Sequence, residues 1–408
     1  MKLILGNGKT AQSIARFFSK QSILFTLIED SRKIKDLNIL AEIEEIITSP
    51  GIPQTQKIIT SARSQNIPVI SDIELFSRYA KAPIIAITGS NGKSTVTKLL
   101  GEMISKNGNK VAVGGNIGTP ALDCLQNDIE FYVLELSSYQ LDYTQNLSLI
   151  TATVLNITPD HLERYKSFAD YKKSKLSIYK YCQKPVFNLD ENPSKNASGF
   201  SLKIPAKPSD FGIIICHDNS YFVQGDKVLM SAAETKLIGA HSQQNILAAL
   251  ALGSQINLKT SAMIAAIKAF KGLEHRLEWV CKKDNINYYN DSKSTNSAST
   301  IAAINALIPT NNDIALILGG IQKQEDYTSL FALINQSIKI VILIGESTPN
   351  FAPKITTKTT HAKSIQDATH IAQSLINNGI ILLSPACASF DMFDNFEHRG
   401  QVFKDCVN

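Results

Sequence analysis

Cysteine pairs, long apolar runs and strong net charge are all missing from this chain. Its six cysteines, at 124, 182, 216, 281, 387 and 406, include no C-x-x-C pair. That spacing supports neither a zinc site nor a disulfide framework, so reduced thiols are expected. No apolar run approaches the length of a bilayer-crossing helix. The apolar stretch at Met1–Gly6 is too short for a signal peptide. A cytoplasmic chain without a membrane span is the expectation. Net charge is only +5 over 408 residues, and the basic residues are scattered, which leaves no footprint for nucleic acid. The small excess suits substrates that carry several phosphates.

What is present is a globular composition, 44% hydrophobic and 19% charged, long enough for two to four domains. The most informative stretch is Ile84–Thr95. Mostly β-branched apolar residues run into Thr88-Gly89-Ser90-Asn91-Gly92-Lys93-Ser94-Thr95, and a helical pattern follows from Val96 to Ser105. Strand, glycine-rich turn and helix N-terminus together form a phosphate cradle. Backbone N–H groups point at phosphate oxygens, and the helix end adds partial positive charge. Lys93 can reach β- and γ-phosphates, and Ser94 can ligate Mg²⁺. The usual first glycine of such a loop falls at Ile87, so this is a variant loop, and ATP or GTP is the expected ligand.

Strand-like and helix-like patterns alternate along most of the chain, which predicts α/β architecture with mainly parallel sheets. Three blocks are expected: 1–80, 81–272 and 273–408. In the first, strands at Lys2–Leu5, Ile23–Ile28, Ile46-Ile47 and Val69-Ile70 surround a helix from Thr10 to Ser19, and Ser77–Pro83 reads as a linker. The second opens with the phosphate loop. It continues with strands at Tyr132–Glu135 and Ala152–Ile157 and a helix over Phe168–Tyr181. An antiparallel excursion is expected from Asp210 to Lys236, then helices at Asn245–Gln255 and Ser261–Phe270. In the third, strands at Ile286–Asn290, Ile314–Leu318, Ile340–Ile344 and Ile380–Leu383 each run into polar or glycine residues. That carboxyl edge is where open α/β sheets bind ligands.

Several side chains could carry chemistry. Glu135 ends an apolar strand downstream of the phosphate loop, where an acid can help hold Mg²⁺. His161 follows a strand, and a metal or phosphate contact competes with a purely structural role. Gly114–Gly118 reads locally as a turn. Lys175, beside Lys172 and Lys173, reads as part of a solvated basic face. Gly6–Ala11 is similar to a dinucleotide fingerprint and marks a helix end suited to a diphosphate. Arg276 could clamp phosphates or make an interdomain salt bridge. Cys387 lacks a histidine partner and reads as buried filler.

Taken together, Thr88–Thr95, Gly114–Gly118, Glu135–Leu141, His161 within Asp160–Tyr165, His275-Arg276, Asn290–Lys293 and Gly319-Gly320 resemble the Mur ligases. Ser384–Asp391, with Phe393, Asn395-Phe396 and Arg399-Gly400, resembles the branch of that family that adds D-glutamate. The resemblance spans nearly the whole chain in motif order. It implies a Rossmann-like N-terminal domain, a central P-loop ATPase-like domain and a Rossmann-like C-terminal domain. They would bind the uridine diphosphate substrate, ATP and the incoming amino acid in turn.

By the same resemblance, Asn7, Lys9, Asp30, Ser31, Arg32 and the Ser49-Pro50-Gly51 turn would touch the uridine nucleotide. Gly89 to Thr95 would hold ATP, with Asn245 at the adenine and Arg276, Asp291 and Lys293 reaching it from the third domain. Ser94 and Glu135 would hold one Mg²⁺, and His161 with a CO₂-carbamylated Lys175 a second. Asn116 and His161 would contact the muramoyl substrate, while Thr295, Lys323, Ser389 and Phe396 would form the D-glutamate pocket. The implied reaction joins D-glutamate to UDP-N-acetylmuramoyl-L-alanine through an acyl phosphate, with Lys93, Asn116, His161, Lys175 and Arg276 catalytic and domain closure excluding water. His161 and solvent are the candidates for the base that deprotonates the amine. A cytoplasmic monomer acting on small molecules is expected. The rivals are a sister ligase adding another amino acid, folylpolyglutamate synthase, a nicotinamide oxidoreductase resting on Gly6–Ala11, and a nucleotide-gated binding protein without chemistry.

Overall fold

A computed structural model describes residues 1–34, 37–160, 164–191, 198–310 and 312–407. They form two compact units, one of Met1–Thr235 with Gln243–Phe270, the other of Lys236–Ser242 with Lys271–Asn408.

The first unit holds two sheets. Strands β1 (Lys2–Leu5), β2 (Phe25–Ile28), β3 (Glu45–Thr48) and β4 (Val69–Ser71) form an all-parallel sheet in the order β2-β1-β3-β4. The second sheet contains β5 (Ile84–Thr88), β6 (Val111–Gly115), β7 (Phe131–Glu135), β8 (Leu149–Val154), β9 (Cys182–Asn188) and β10 (Gly199–Phe200), followed by β11 (Phe211–Cys216), β12 (Asn219–Gln224) and β13 (Lys227–Ser231). Their order is β13-β12-β11-β10-β9-β8-β5-β7-β6. The run from β6 to β11 is parallel, and β11, β12 and β13 pair antiparallel, as the turn residues after Asp210 predict. β5 is buried at every position, as a strand covered on both faces must be. Its place between β7 and β8 puts the ends of three strands side by side: Ile87 opposite Glu135, and Thr88 opposite Val154.

The second unit has one six-stranded sheet of β14 (Glu278–Lys283), β15 (Ile286–Asn290), β16 (Ile314–Gly319), β17 (Ile340–Ile344), β18 (Thr359–His361) and β19 (Gly379–Leu383). Its order is β14-β15-β19-β16-β17-β18, parallel except for β14. Apolar clusters pack on both of its faces, one around Leu316, Leu318 and Leu382, the other around Ile317, Ile342 and Leu383.

Three expected boundaries move. Ser77–Pro83 is not all linker, because helix Asp72–Tyr79 occupies its first half; the Ser71 hydroxyl caps that helix by accepting from Glu74 N–H. The strand expected at Ala152–Ile157 is β8, Leu149–Val154, and leaves Asn156 free to turn into the phosphate loop. The helix expected to Tyr181 stays α-helical only to Leu176 and tightens to a 3₁₀ turn over Ser177–Tyr181.

Candidate active site

The phosphate loop connects β5 to helix Lys93–Lys106. Two glycines make its shape possible. Gly89 has φ +151°, and Gly92, the residue before the helix, has φ +83°. A Cβ on Gly92 would also collide with the Asn245 side chain, so the residue expected at the adenine lies against the loop. Ser90 N–H donates to Asn156 O (2.8 Å), and Asn91 N–H to Asn156 Oδ1 (2.8 Å). Asn156 Nδ2 returns a bond to Asn91 O (3.0 Å), so one side chain braces both sides of the turn. Ser90 Oγ meets Tyr171 OH at 3.0 Å and accepts from Thr158 N–H at 3.0 Å. Lys93 Nζ folds back onto the loop, donating to Gly89 O and Ser90 O at 2.9 Å each.

Beside the loop, Ser94 Oγ donates to Glu135 Oε2 (2.7 Å) and Asn116 Nδ2 donates to Glu135 Oε1 (2.9 Å). Ser94 and Glu135 are buried. Asn116 is positioned by its own backbone N–H, which donates to Glu135 O (2.8 Å). It follows Gly115, at φ +97°, where a Cβ would strike the same carbonyl. The glycine turn that reads locally as a mere turn therefore delivers an amide to the acid. A carboxylate and a hydroxyl side by side are hard oxygen donors, the kind that hold Mg²⁺ while phosphate and water fill its remaining positions. These residues fit one such ion.

Lys175 overturns its local reading as a solvated residue. It is 2% exposed, donates from Nζ to Gly89 O (2.8 Å) and lies 4.8 Å from the centre of the Tyr171 ring. Burial, and then the charge of Lys93, push its amine down to about 7. An amine so depressed is substantially neutral near pH 7 and can act as a nucleophile. His161, expected beside it, lies outside the described residues.

In the first sheet, Asn7 and Lys9 are exposed on the turn after β1, and the Lys9–Lys20 helix starts there. Asp30 caps the short turn at Ser31 and pairs with Arg32 (Nε to Oδ1, 2.9 Å). The Ser49-Pro50-Gly51 turn follows β3 at the same carboxyl edge. The expected sugar-nucleotide residues thus share the edge formed by the ends of β1, β2 and β3.

The second unit carries the remaining candidates. Asp291 Oδ1 accepts from Leu277 N–H (2.9 Å); its Oδ2 accepts from the hydroxyls of Ser294 (2.5 Å) and Ser384 (2.7 Å). Burial nevertheless pushes its carboxyl up to about 6. Arg276 sits in the turn just before β14, next to Leu277. Lys293 Nζ lies 3.6 Å from the centre of the Phe396 ring, and Ser292 Oγ donates to Phe396 O (2.8 Å). Thr295 directly precedes Asn296, the cap of helix Ser297–Leu307. An antiparallel bridge between Ile321 and Ala388 brings the Lys323 and Ser389 loops together. Buried Arg399 ties this region with bonds to Ser292 O (2.8 Å) and Cys387 O (3.1 Å).

Asn156 and Tyr171 escaped the reading of the sequence. The signal for Asn156 was its place just beyond a strand that ends beside the phosphate loop. For Tyr171 it was the four-residue spacing to Lys175, which puts both on one helix face.

Residues 87–253 match the Mur ligase middle domain, and residues 275–387 match the Mur ligase glutamate ligase domain. The chain is 39% identical to UDP-N-acetylmuramoylalanine--D-glutamate ligase of Nitrosococcus oceani, covering 99% of this chain and 96% of that one. It is 38% identical to the enzyme of that name from Pseudomonas savastanoi, covering 100% and 97%. Among solved structures, MurF ligase of Thermotoga maritima in complex with ADP superposes with a TM-score of 0.65 at 14% identity, covering 100% of this chain and 94% of that one. UDP-N-acetylmuramate-alanine ligase of the same organism gives 0.63 at 15%, covering 100% and 98%.

Proposed function

The chain belongs to the Mur ligase family, and from that premise we infer that it is an ATP-dependent ligase that joins D-glutamate to UDP-N-acetylmuramoyl-L-alanine in peptidoglycan precursor synthesis. The observation that carries this reading is similarity to ligases of that name over 99% of the chain. The joined Lys93 loop, Ser94, Glu135 and Asn116 supply chemistry that suits it.

A carboxylate is a poor electrophile, so it is first activated. The γ-phosphoryl group of ATP passes to the L-alanyl carboxylate, giving an acyl phosphate and ADP. The amine of D-glutamate attacks the acyl carbon, the amide bond forms as the acyl–phosphate bond breaks, phosphate leaves, and the nitrogen gives up its proton to His161 or solvent. The chain's part is to position three substrates and neutralise charge. On this reading, Gly89, Ser90, Asn91, Gly92 and Thr95 supply the cradle. Lys93 exchanges its two loop carbonyls for phosphate oxygens. Ser94 and Glu135 would hold a Mg²⁺ ion, which would supply Lewis-acid charge at the phosphates. Asn116, already bonded to Glu135, orients the acid and meets the muramoyl substrate.

An ammonium cannot ligate a metal. The lone pair of the Lys175 amine would add to the carbon of CO₂ with loss of a proton, and the carbamate so formed would, with His161, be the group to hold a second Mg²⁺. The depressed basicity and burial of Lys175 support that step. Residues 1–80 bind the uridine nucleotide, 81–272 ATP, and 273–408 the amino acid. Arg276, Asp291 and Lys293 serve ATP; Thr295, Lys323, Ser389 and Phe396 serve D-glutamate. The enzyme works in the cytoplasm as a monomer. No helix among the described residues is long and apolar enough to cross a membrane.

The test is phosphate release from ATP and UDP-N-acetylmuramoyl-L-alanine with single amino acids. Release stimulated by D-glutamate supports the assignment. Release with L-alanine or a diamino acid instead would reassign the chain to a sister ligase, and nucleotide binding without turnover would remove the ligase reading.

A further inference from the structure

Arg164 spends its guanidinium on main-chain carbonyls of the turn that follows β3. Nη1 donates to Gly51 O (2.8 Å), and Nη2 to Pro50 O (3.1 Å) and Ile52 O (2.7 Å). The same group lies 4.6 Å from the centre of the Tyr139 ring. Three consecutive carbonyls thus turn toward one cation, and an aromatic face backs it. The surroundings extend the joint. Tyr143 OH also donates to Ile52 O (2.8 Å), and Gln54 Nε2 donates to Asp142 O (2.6 Å). Tyr165 OH donates to Asp142 Oδ2 (2.9 Å), and Ser174 Oγ donates to Asp142 Oδ1 (2.6 Å). Ser174 directly precedes Lys175, and Tyr139 lies in the short helix Ser138–Leu141 just beyond Glu135.

We propose that Arg164 is a positioning residue of the ligase reaction, fixing the Ser49–Gly51 turn onto Tyr139 and so setting where the sugar-nucleotide lies relative to Glu135 and Lys175. This rests on the proposed function, in which that turn contacts the UDP substrate. The reacting carboxylate belongs to the molecule held at the first sheet, while the phosphoryl donor is held by the second. A joint between the sheets therefore fixes the approach distance, and near-attack geometry is sensitive to displacements of about 1 Å. A lysine cannot replace the arginine. Its single ammonium lacks the flat fork needed to serve three carbonyls while stacking on a ring.

Arg164→Met and Arg164→Lys test the proposal through KM for each substrate and calorimetric binding of UDP-N-acetylmuramoyl-L-alanine without ATP. KM and Kd for the sugar nucleotide are expected to rise about tenfold in both variants, from the loss of charge-assisted bonds. kcat is expected to fall, while KM for ATP and D-glutamate stays within about twofold because the phosphate loop is untouched. Wild-type affinity for the sugar nucleotide in a folded variant would overturn the proposal. So would a parallel rise in all three KM values, which would mark a merely structural role. Should Arg164→Met fail to fold, Arg164→Lys, which keeps stem and charge, decides. If the wild-type chain binds the sugar nucleotide yet shows no D-glutamate-dependent turnover, the ligase reading fails instead, and the calorimetric comparison still judges Arg164.

Discussion

Replacing Lys175 by methionine should cost all turnover yet stabilise the fold near neutral pH. The amine is 2% exposed and burial holds it at about 7 instead of 10.5. Protonating it in the folded chain is therefore harder than in the unfolded chain by roughly 5 kcal/mol. That penalty is fully present below about pH 7, where both states carry the proton. It shrinks as pH rises from 7 to 10.5, where only the unfolded chain is protonated. By this linkage roughly 2 kcal/mol of penalty is relieved between pH 7 and pH 9. Methionine removes the penalty at every pH, but it also forfeits the bond to Gly89 O and the contact with Tyr171, together worth about 2 kcal/mol. The variant should therefore be more stable than wild type by roughly 2 kcal/mol at pH 7, with the advantage nearly gone at pH 9. Urea unfolding of both proteins at the two pH values, in CO₂-free buffer so that the amine stays unmodified, measures the difference. A stability gap that does not change with pH would refute the reasoning, as would a destabilised variant at pH 7.

Lys93→Ala should abolish D-glutamate-dependent phosphate release while calorimetric binding of UDP-N-acetylmuramoyl-L-alanine stays near wild type. Gly92→Ala should lose nucleotide affinity in a titration. Its φ of +83° costs an alanine roughly 1–2 kcal/mol, and the new methyl must displace Asn245. Asp72 is buried with Gln140 Nε2 donating to both of its oxygens, and burial pushes its carboxyl up to about 6. Its folded state holds the proton better than the unfolded chain does, so stability falls as pH rises through about 4 to 6. Asp72→Asn should accordingly raise the urea midpoint at pH 7, by an amount equivalent to roughly 1–3 kcal/mol, and change little at pH 3.5.

The α/β class and most parallel strands were legible because buried strands such as Ile84–Thr88 and Ile340–Ile344 are continuous apolar runs between turn residues. Strands β9 and β14 were not. Gln183, Lys184, Lys282 and Lys283 dilute their apolar pattern, because these strands are only partly covered. Helix Asp72–Tyr79 was hidden by Pro83 downstream, although Ser71 with Asp72 and Glu74 in the first turn is an N-terminal signature. In the candidate site, Lys93 and Ser94 stood out by the spacing of the loop, and Glu135 by its place at the end of an apolar strand downstream of it. Lys175 did not, because Lys172 and Lys173 disguise it. Asn156 and Arg164 act on backbone groups far away in sequence, and no local pattern announces such a contact.

The carbonyl of Gly89 accepts from two amines, Lys93 at 2.9 Å and Lys175 at 2.8 Å. A proton on the second amine would face the charge of the first, and that repulsion, after burial, is part of what keeps residue 175 weakly basic. Any anion that lures residue 93 away lets its rival hold a proton more firmly. By thermodynamic reciprocity, the charge at residue 175 in turn governs how readily residue 93 departs. Occupancy of the cradle and acid–base state of its buried neighbour are thus a single coupled equilibrium, with one backbone oxygen as its fulcrum.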